Sequence, residues 1–336
     1  MAMIDDIEKE VINEWLITQR IRFDKPLPKP PAVISIDEDP NNIIPIFTRG
    51  NISVITGKAK SKKSFFTSSF PVAFLESECS IANINGYGKN GEVAVYFDTE
   101  MEGYYSQRLG FSVHKQLSPK NKERYHHYDL RVLSNSDKIT MIENTLRLLP
   151  QIGIVIIDGI KDLSTKGIND EEEAIEIVSR LMRWSTVYNV HICCILHQNK
   201  ADKQVGGHLG SEVVKKAETV ISVEKAVDET FISNVKAEFT RGREFSPFAF
   251  YLDDDLFPVR TDYSKPVNRQ KIVTIQNTLN ECFVKGNELY TYTELVEIYK
   301  EKTNVSLRTA KQHISDAVNM EIISKNRSSM YELSKT

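Results

Sequence analysis

The sequence predicts an α/β chain: a doubly wound, largely parallel sheet with helices on its faces, followed by a small helical domain. Three observations carry this. Between residues 50 and about 255, short β-branched or apolar runs alternate with helical stretches, the order that a parallel sheet with crossover helices requires. The first run, Ile52-Ser53-Val54-Ile55-Thr56, empties into a basic loop that closes in Lys63-Ser64 ahead of an apolar helix. Past residues 263–268, which include a proline, the pattern changes to polar amphipathic helices.

Composition sets the bounds. At 336 residues the chain can bury one large core, or a core of about 200–250 residues with a small appended domain. The net charge of −3 excludes a uniformly basic nucleic-acid binder, so any DNA contact must come from local patches. Cys79, Cys193, Cys194 and Cys282 form no C-x-x-C pair. Cys193-Cys194 lies in an apolar run and reads as small core residues rather than as metal ligands or a disulfide. A reducing cytoplasm fits that usage. No leader pattern opens the chain and no apolar run approaches the ~20 residues of a membrane span, which predicts a cytoplasmic protein with no membrane contact.

In chain order, Ile4, Ile7, Val11 and Trp15, with Ile12 and Leu16 alongside, predict an amphipathic helix in residues 1–20. It either packs on its own domain or docks as an arm on a neighbouring subunit. The proline-rich stretch 25–31 cannot be helical and reads as an extended linker, giving domains at 1–31, 32–262 and 263–336. Strands are expected at 52–56, 93–98, 128–133, 152–158, 190–197 and 219–223. Helices are expected at 64–76, 136–149 and 170–188. Residues 205–223 give a glycine-rich loop, a short helix with Lys215 and Lys216, and the last of those strands. Residues 231–241 and 248–252 read as a closing antiparallel pair.

Four strand ends carry the chemistry. The loop Gly57-Lys58-Ala59-Lys60-Ser61-Lys62-Lys63-Ser64, with Phe65 opening the helix, follows the P-loop pattern G-x-x-x-x-G-K-[ST] except that Lys62 replaces the second glycine. Backbone N–H groups, a helix N-terminus and Lys63 together suit a nucleotide's phosphates, and the Ser64 hydroxyl suits Mg²⁺. A basic turn between strand and helix is the plainer alternative. Lys62 costs about 1 kcal/mol if its position must be left-handed. Ile154-Val155-Ile156-Ile157-Asp158 is an apolar strand ending in a carboxylate, a Walker B arrangement that can bind Mg²⁺ through water. Val93-Ala94-Val95-Tyr96-Phe97-Asp98-Thr99-Glu100 offers Glu100 to orient and deprotonate an attacking water; a solvated helix cap is its alternative. Ile192-Cys193-Cys194-Ile195-Leu196-His197-Gln198-Asn199-Lys200 places His197 and Gln198 to sense a γ-phosphate, with Lys200 following.

These motifs together resemble a RecA-like P-loop ATPase, of the RepA/KaiC/DnaB-like branch. The phosphate loop, Gly207-His208-Leu209-Gly210-Ser211-Glu212 and Lys216-Ala217-Glu218-Thr219-Val220 are similar to ATPases carried by mobilizable transposons and plasmids. The resemblance covers residues 30–255 and implies that lysine is tolerated in place of the second glycine. It implies ATP and Mg²⁺ as cofactors, a homo-oligomer such as a hexamer, and a site completed across the subunit interface. Arg241 would supply that completion, with Arg243 second and Lys236 as a companion. It also implies a DNA-contacting loop at 202–210, where Lys203 and His208, with Lys200, would meet phosphates; a plain surface loop is the alternative.

The C-terminal segment predicts a helix at 292–302, a polar turn, and a helix from Ser306 to Met320, with Ser306 as its N-cap. Leu307, Ala310, Ile314 and Ala317-Val318 would be buried. Arg308, Lys311, Gln312 and Ser315 fall on the opposite face, as on a recognition helix, and Lys325 and Arg327 sit at the tip of a following hairpin. The segment resembles a winged helix-turn-helix that binds DNA. Glu294, Glu297, Glu301, Asp316 and Glu321 offset its basic residues and keep a protein-binding role open. The whole predicts a DNA-dependent ATPase in replication or mobilization of a mobile genetic element, with a hexameric helicase as its sharpest form. A DNA-binding regulator that uses ATP as a switch, or a nucleotide-free scaffold, are the alternatives.

Overall fold

The computed structural model describes residues 6–39, 42–77, 83–198, 206–226, 231–261, 269–283, 289–319, 322–326 and 328–334. Cys79, Lys200, Lys203, Arg327 and the boundary at 263–268 lie outside the described residues. The chain divides into two compact units, Met1–Glu224 with Val235–Arg260, and Lys225–Asn234 with Thr261–Thr336.

Helix α1 (Asp6–Thr18) forms as its period predicts. On this helix Val11 is 38%, Trp15 61% and Leu16 66% exposed, while Ile12 is half-buried. Strands β1 (Ala32–Asp39) and β2 (Asn42–Thr48) pair antiparallel. They precede β3 (Ile52–Gly57), every residue of which is buried.

The single helix expected at 64–76 is two, α2 (Lys63–Thr67) and α3 (Ser69–Glu76). Pro71 has no N–H to give the Thr67 carbonyl, and the Ser68 and Ser69 hydroxyls bond back to Phe65 O (2.7 Å) and Phe66 O (2.6 Å). Next come β4 (Ile84–Gly86), which joins β1 on the side away from β2, and β5 (Val93–Asp98). Helix α4 (Gly103–Gln116) follows, unmarked in the sequence because two glycines and a polar face mask its period.

Strand β6 (Tyr125–Asp129) lies three residues earlier than the expected 128–133. It is the outermost strand, half-buried and therefore built from tyrosine and histidine rather than aliphatic residues. The apolar Leu130–Leu133 pair that suggested a strand instead closes a turn, with Leu133 N–H donating to Leu130 O at 3.0 Å. Helix α5 (Asn135–Leu148), strand β7 (Ile152–Asp158), helix α6 (Glu171–Val187), strand β8 (His191–His197), helix α7 (Gly207–Lys216) and strand β9 (Thr219–Lys225) complete the alternation. Asp170 caps α6 through Glu173 N–H at 2.8 Å. Strands β10 (Ser233–Thr240), β11 (Phe248–Leu252) and β12 (Pro258–Thr261) extend the sheet.

The large sheet runs β12-β11-β10-β9-β3-β8-β7-β5-β6, with parallel pairing throughout β9-β3-β8-β7-β5-β6. Alternation sends Ile55, Tyr96, Ile156 and Ile195 to one face, under Phe66, Phe70 and Phe74 of α2 and α3. Val54, Phe97, Ile157 and Cys194 face the other way, under Leu181 and Trp184 of α6. The chain leaves β3 over the first face and reaches β9 from β8 through α7 on the second. A crevice therefore opens at the carboxyl ends of β3 and β8, the switch point where such sheets bind ligands.

The second unit contains α8 (Arg269–Cys282), α9 (Tyr292–Thr303), α10 (Leu307–Asn319) and a hairpin of β13 (Ile323–Lys325) with β14 (Tyr331–Leu333). Thr291 and Glu294 close a capping box on α9. Thr309 N–H donates to the Ser306 hydroxyl at 3.2 Å, as the predicted cap requires. Ala310, Ile314 and Ala317 pack on Leu279, Leu295 and Tyr299. The buried stripe of α10 is narrower than expected, because Leu307 is 42% and Val318 37% exposed at its margins.

Candidate nucleotide site

Register brings the four predicted strand ends to within one pleat of one another. Gly57 of β3 pairs with His197 of β8, and Asp98 of β5 pairs with Asp158 of β7, which is opposite Ile195. All lie on the face that carries α2. Gly57 is obligatory on packing grounds: a Cβ there would sit 2.1 Å from the Val223 carbonyl oxygen.

Beyond it Lys58, Ala59 and Lys60 are exposed, Ser61 is buried, and Lys62 is the N-cap of α2 in the left-handed region (φ 67°, ψ 28°). The loop thus demands the conformation that a second glycine would adopt without strain, and lysine adopts it. Lys60 shares it (φ 63°). Ser64 and Phe65 are half-buried in the first turn of α2.

Lys63 is buried and turned back on its loop. Its Nζ donates to Gly57 O and Lys58 O, both at 2.9 Å, and meets His197 Nδ1 at 3.1 Å. His197 Nε2 lies 3.0 Å from Glu100 Oε2. With the ammonium protonated, Nδ1 accepts and Nε2–H donates, so one run of hydrogen bonds joins the cation, the imidazole and the carboxylate. Burial lowers Lys63 to about 8, opposed by Asp158 and Glu100. The hydrogen bond from His197 holds Glu100 below the ordinary carboxylate range. Gln198 is buried beside them; its N–H donates to Gly57 O (3.0 Å), and its Oε1 has no partner among the described residues.

Asp158 is 3% exposed and is pushed up to about 6 by burial, although the Ser64 hydroxyl and the Tyr96 phenol both bond to it. A hydroxyl at the helix start bonded to a buried carboxylate is a donor set that fits Mg²⁺, with Ser64 as direct ligand and Asp158 acting through water. The cation would neutralise phosphate charge there. A nucleotide's phosphates would fall to the 57–64 loop.

Sequence reasoning passed over the residues that aim Glu100. Asp98 Oδ1 accepts N–H bonds from Glu100 (3.0 Å) and Met101 (2.9 Å), turning the chain back toward His197. Gly159 (φ 92°) leaves the space that Glu100 occupies, since a Cβ would fall 2.6 Å from Glu100 Cγ. Lys161 adds positive charge near Lys63 and Glu100 and reaches His197 O at 3.4 Å. Their signal was the polar cluster directly after each apolar run.

Other predicted residues stand apart from this cluster. Arg241 donates its N–H to Glu218 O (2.8 Å) and its guanidinium to Lys216 O (3.0 Å), at the amino end of β9 and so at the opposite end of the strands from the 57–64 loop. Arg243 bonds Asn42 Oδ1 at 2.7 Å, and Lys236 pairs with Glu238. His208 is exposed on the first turn of α7; residues 207–210 are helical, not part of a loop as expected. In the second unit Arg308, Lys311, Gln312 and Ser315 are exposed together on α10, with Gln312 donating to Asp316 (2.9 Å), and Lys325 is exposed on β13. No helix among the described residues is long and apolar enough to cross a membrane.

A basic loop closing in Lys63-Ser64 at the carboxyl end of β3, with Asp158 on β7 across the intervening β8, is the arrangement of a P-loop NTPase domain. A family model described as an AAA domain matches residues 31–203, more than half of the 336-residue chain, and the chain belongs to that family. No curated protein matches it. Among solved structures, the crystal structure of the RadB recombinase is similar at a TM-score of 0.45 and 12% identity, over 65% of this chain and 93% of that one.

Two outcomes follow from the site's energetics. Lys62→Gly relieves the left-handed backbone and raises stability by about 0.5–1 kcal/mol in urea unfolding; a loss of stability would contradict this. Asp158 titrates higher folded than unfolded. Between its ordinary value of 3.8 and about 6 the folded chain therefore holds more protons, and stability falls as pH rises through that window. In Asp158→Asn that fall disappears. Urea midpoints from pH 4 to 7 should show the variant gaining on wild type by on the order of 2 kcal/mol, and parallel profiles would contradict it.

Proposed function

We propose that the protein is a DNA-dependent ATPase that hydrolyses ATP with Mg²⁺ in a homo-oligomer, with helicase action on a mobile genetic element during replication or mobilization. The observation that carries the reading is the hydrogen-bonded run Lys63–His197–Glu100. It joins a phosphate-binding cation to a base two residues beyond β5, through a side chain able to respond to the γ-phosphate. Glu100 orients and deprotonates the attacking water. Lys63, released from its loop carbonyls, takes the β- and γ-phosphates, and His197 and Gln198 sense the latter.

Arg241, with Arg243 second, serves a neighbour's site. Its place at the amino ends of the strands, away from its own phosphate loop, supports donation in trans across a head-to-tail interface, which closes into a ring such as a hexamer. The order of α8, α9, α10 and the β13–β14 hairpin supports a winged helix-turn-helix domain. Arg308, Lys311 and Gln312 on α10, with Lys325 on the hairpin and Arg327, contact duplex DNA, while Lys203 and His208 contact the single strand. The wording of the phosphate loop supports the mobile-element setting.

A second reading, a DNA-binding regulator that uses ATP as a switch with little hydrolysis, is favoured by one observation: the strained Lys62 at the helix start. Turnover separates the two. In the motor reading single-stranded DNA stimulates ATP hydrolysis by the purified protein, and Glu100→Gln lowers kcat by about 10²–10⁴-fold while nucleotide still binds. ATP binding without DNA-stimulated turnover, together with an unaltered rate in Glu100→Gln, would establish the switch instead.

A further inference from the structure

Tyr96 is a phenol in an otherwise apolar layer. It is fully buried on β5, among Ile154, Ile156 and Ile195 on the face under α2 and α3. A buried tyrosine needs a partner for its hydroxyl, and this one has a specific partner: Tyr96 Oη donates to Asp158 Oδ2 at 2.8 Å. The register explains the reach. Tyr96 is opposite Ile156, so Asp158 is its diagonal neighbour one pleat further along β7, a separation that an aromatic side chain spans. The same hydroxyl lies 3.5 Å from Thr67 Oγ1 on α2.

The ring is fixed in turn. His127, opposite Tyr96 on β6, stacks on it at 4.8 Å between centroids and 8° between planes. His127 is itself held from both nitrogens, by the Ser106 hydroxyl of α4 (2.9 Å) and the Tyr125 phenol (2.8 Å). Tyr96 therefore has little rotational freedom, and the bond that it gives Asp158 is directionally defined. Phenylalanine would fill the same space and pack equally well. The hydroxyl is the part that packing does not explain.

We infer that Tyr96 is a positioning residue for the metal site: its phenol fixes one oxygen of Asp158, so that the carboxylate presents its remaining lone pairs toward Ser64 and the Mg²⁺ that accompanies the nucleotide. This rests on the nucleotide-site reading above. Partners one bond removed from a metal's ligands commonly set its affinity by 10–100-fold; Tyr96 stands one bond beyond a carboxylate that acts through water, which sets the expected effect at the low end of that range.

The test is Tyr96→Phe, read by binding of a fluorescent ATP analogue and by ATP turnover across a Mg²⁺ titration. The variant should need about tenfold more Mg²⁺ for half-maximal response, with nucleotide affinity in EDTA unchanged. In an Asp158→Asn background the added Tyr96→Phe change should have no further effect on Mg²⁺ dependence, because the phenol acts only through that carboxylate. An unchanged Mg²⁺ midpoint overturns the inference, as does an equal loss of affinity with and without Mg²⁺ or full additivity with Asp158→Asn. If wild type itself shows no Mg²⁺-dependent nucleotide binding, the nucleotide-site reading fails, and the inference fails with it; wild-type binding with an unaltered variant removes the inference alone.

Discussion

A parallel strand buried on both faces can shift against its neighbour only by whole pleats, because a one-residue slip would turn every side chain to the wrong layer. In this chain that constraint sets Gly57 beside His197 and Asp98 beside Asp158. Everything chemical depends on those pairings. Lys63 can reach the His197 ring because the strand ends that precede them stop at one height. Asp158 can meet the Ser64 hydroxyl because both arise on the face that carries α2. The loops supply the functional groups, but the aliphatic layers on each face, with Phe66, Phe70 and Phe74 on one side and Leu181 and Trp184 on the other, determine where those groups stand.

The arrangement is costly to stability. Lys63 and Asp158 are charged groups placed where water is nearly excluded, and burial moves both toward neutrality. Lys60 and Lys62 hold left-handed backbone that favours glycine. Gln198 buries an amide oxygen without a partner among the described residues. Each of these would be destabilising in a structural sheet; a phosphate would pair with the Lys63 ammonium, and a cation would relieve the buried Asp158 carboxylate. These groups gather at the carboxyl ends of the strands. At the amino ends Glu218 accepts from Thr48 N–H (2.6 Å) and its hydroxyl (2.7 Å), yet burial still raises Glu218 to about 7 and leaves His191 Nε2 without a hydrogen-bond partner among the described residues.

Much of this was legible in the sequence, and the reasons differ by element. Fully buried parallel strands are continuous apolar runs, so β3, β5, β7 and β8 announced themselves together with the polar residues at their ends. The edge strand β6 did not, because a half-buried position tolerates the Tyr-His-His-Tyr run that looks polar. Helix α4 was hidden by Gly103 and Gly110, and β1 and β2 by their position beside the proline-rich stretch. In the site, Gly57, Lys63, Ser64, Glu100, Asp158, His197 and Gln198 are brought together as residue type and spacing implied. Asp98, Gly159 and Tyr96 act by aiming their neighbours, and nothing in local spacing reveals an aim that depends on register between distant strands.

The central claim is that these strand ends form a single nucleotide site despite the lysine at position 62. Calorimetric titration of the purified protein with Mg·ATP tests it most directly, with Lys63→Ala alongside. One nucleotide bound per chain at micromolar affinity, lost in the variant, is the predicted result. No binding by wild type, or equal binding by Lys63→Ala, would contradict it.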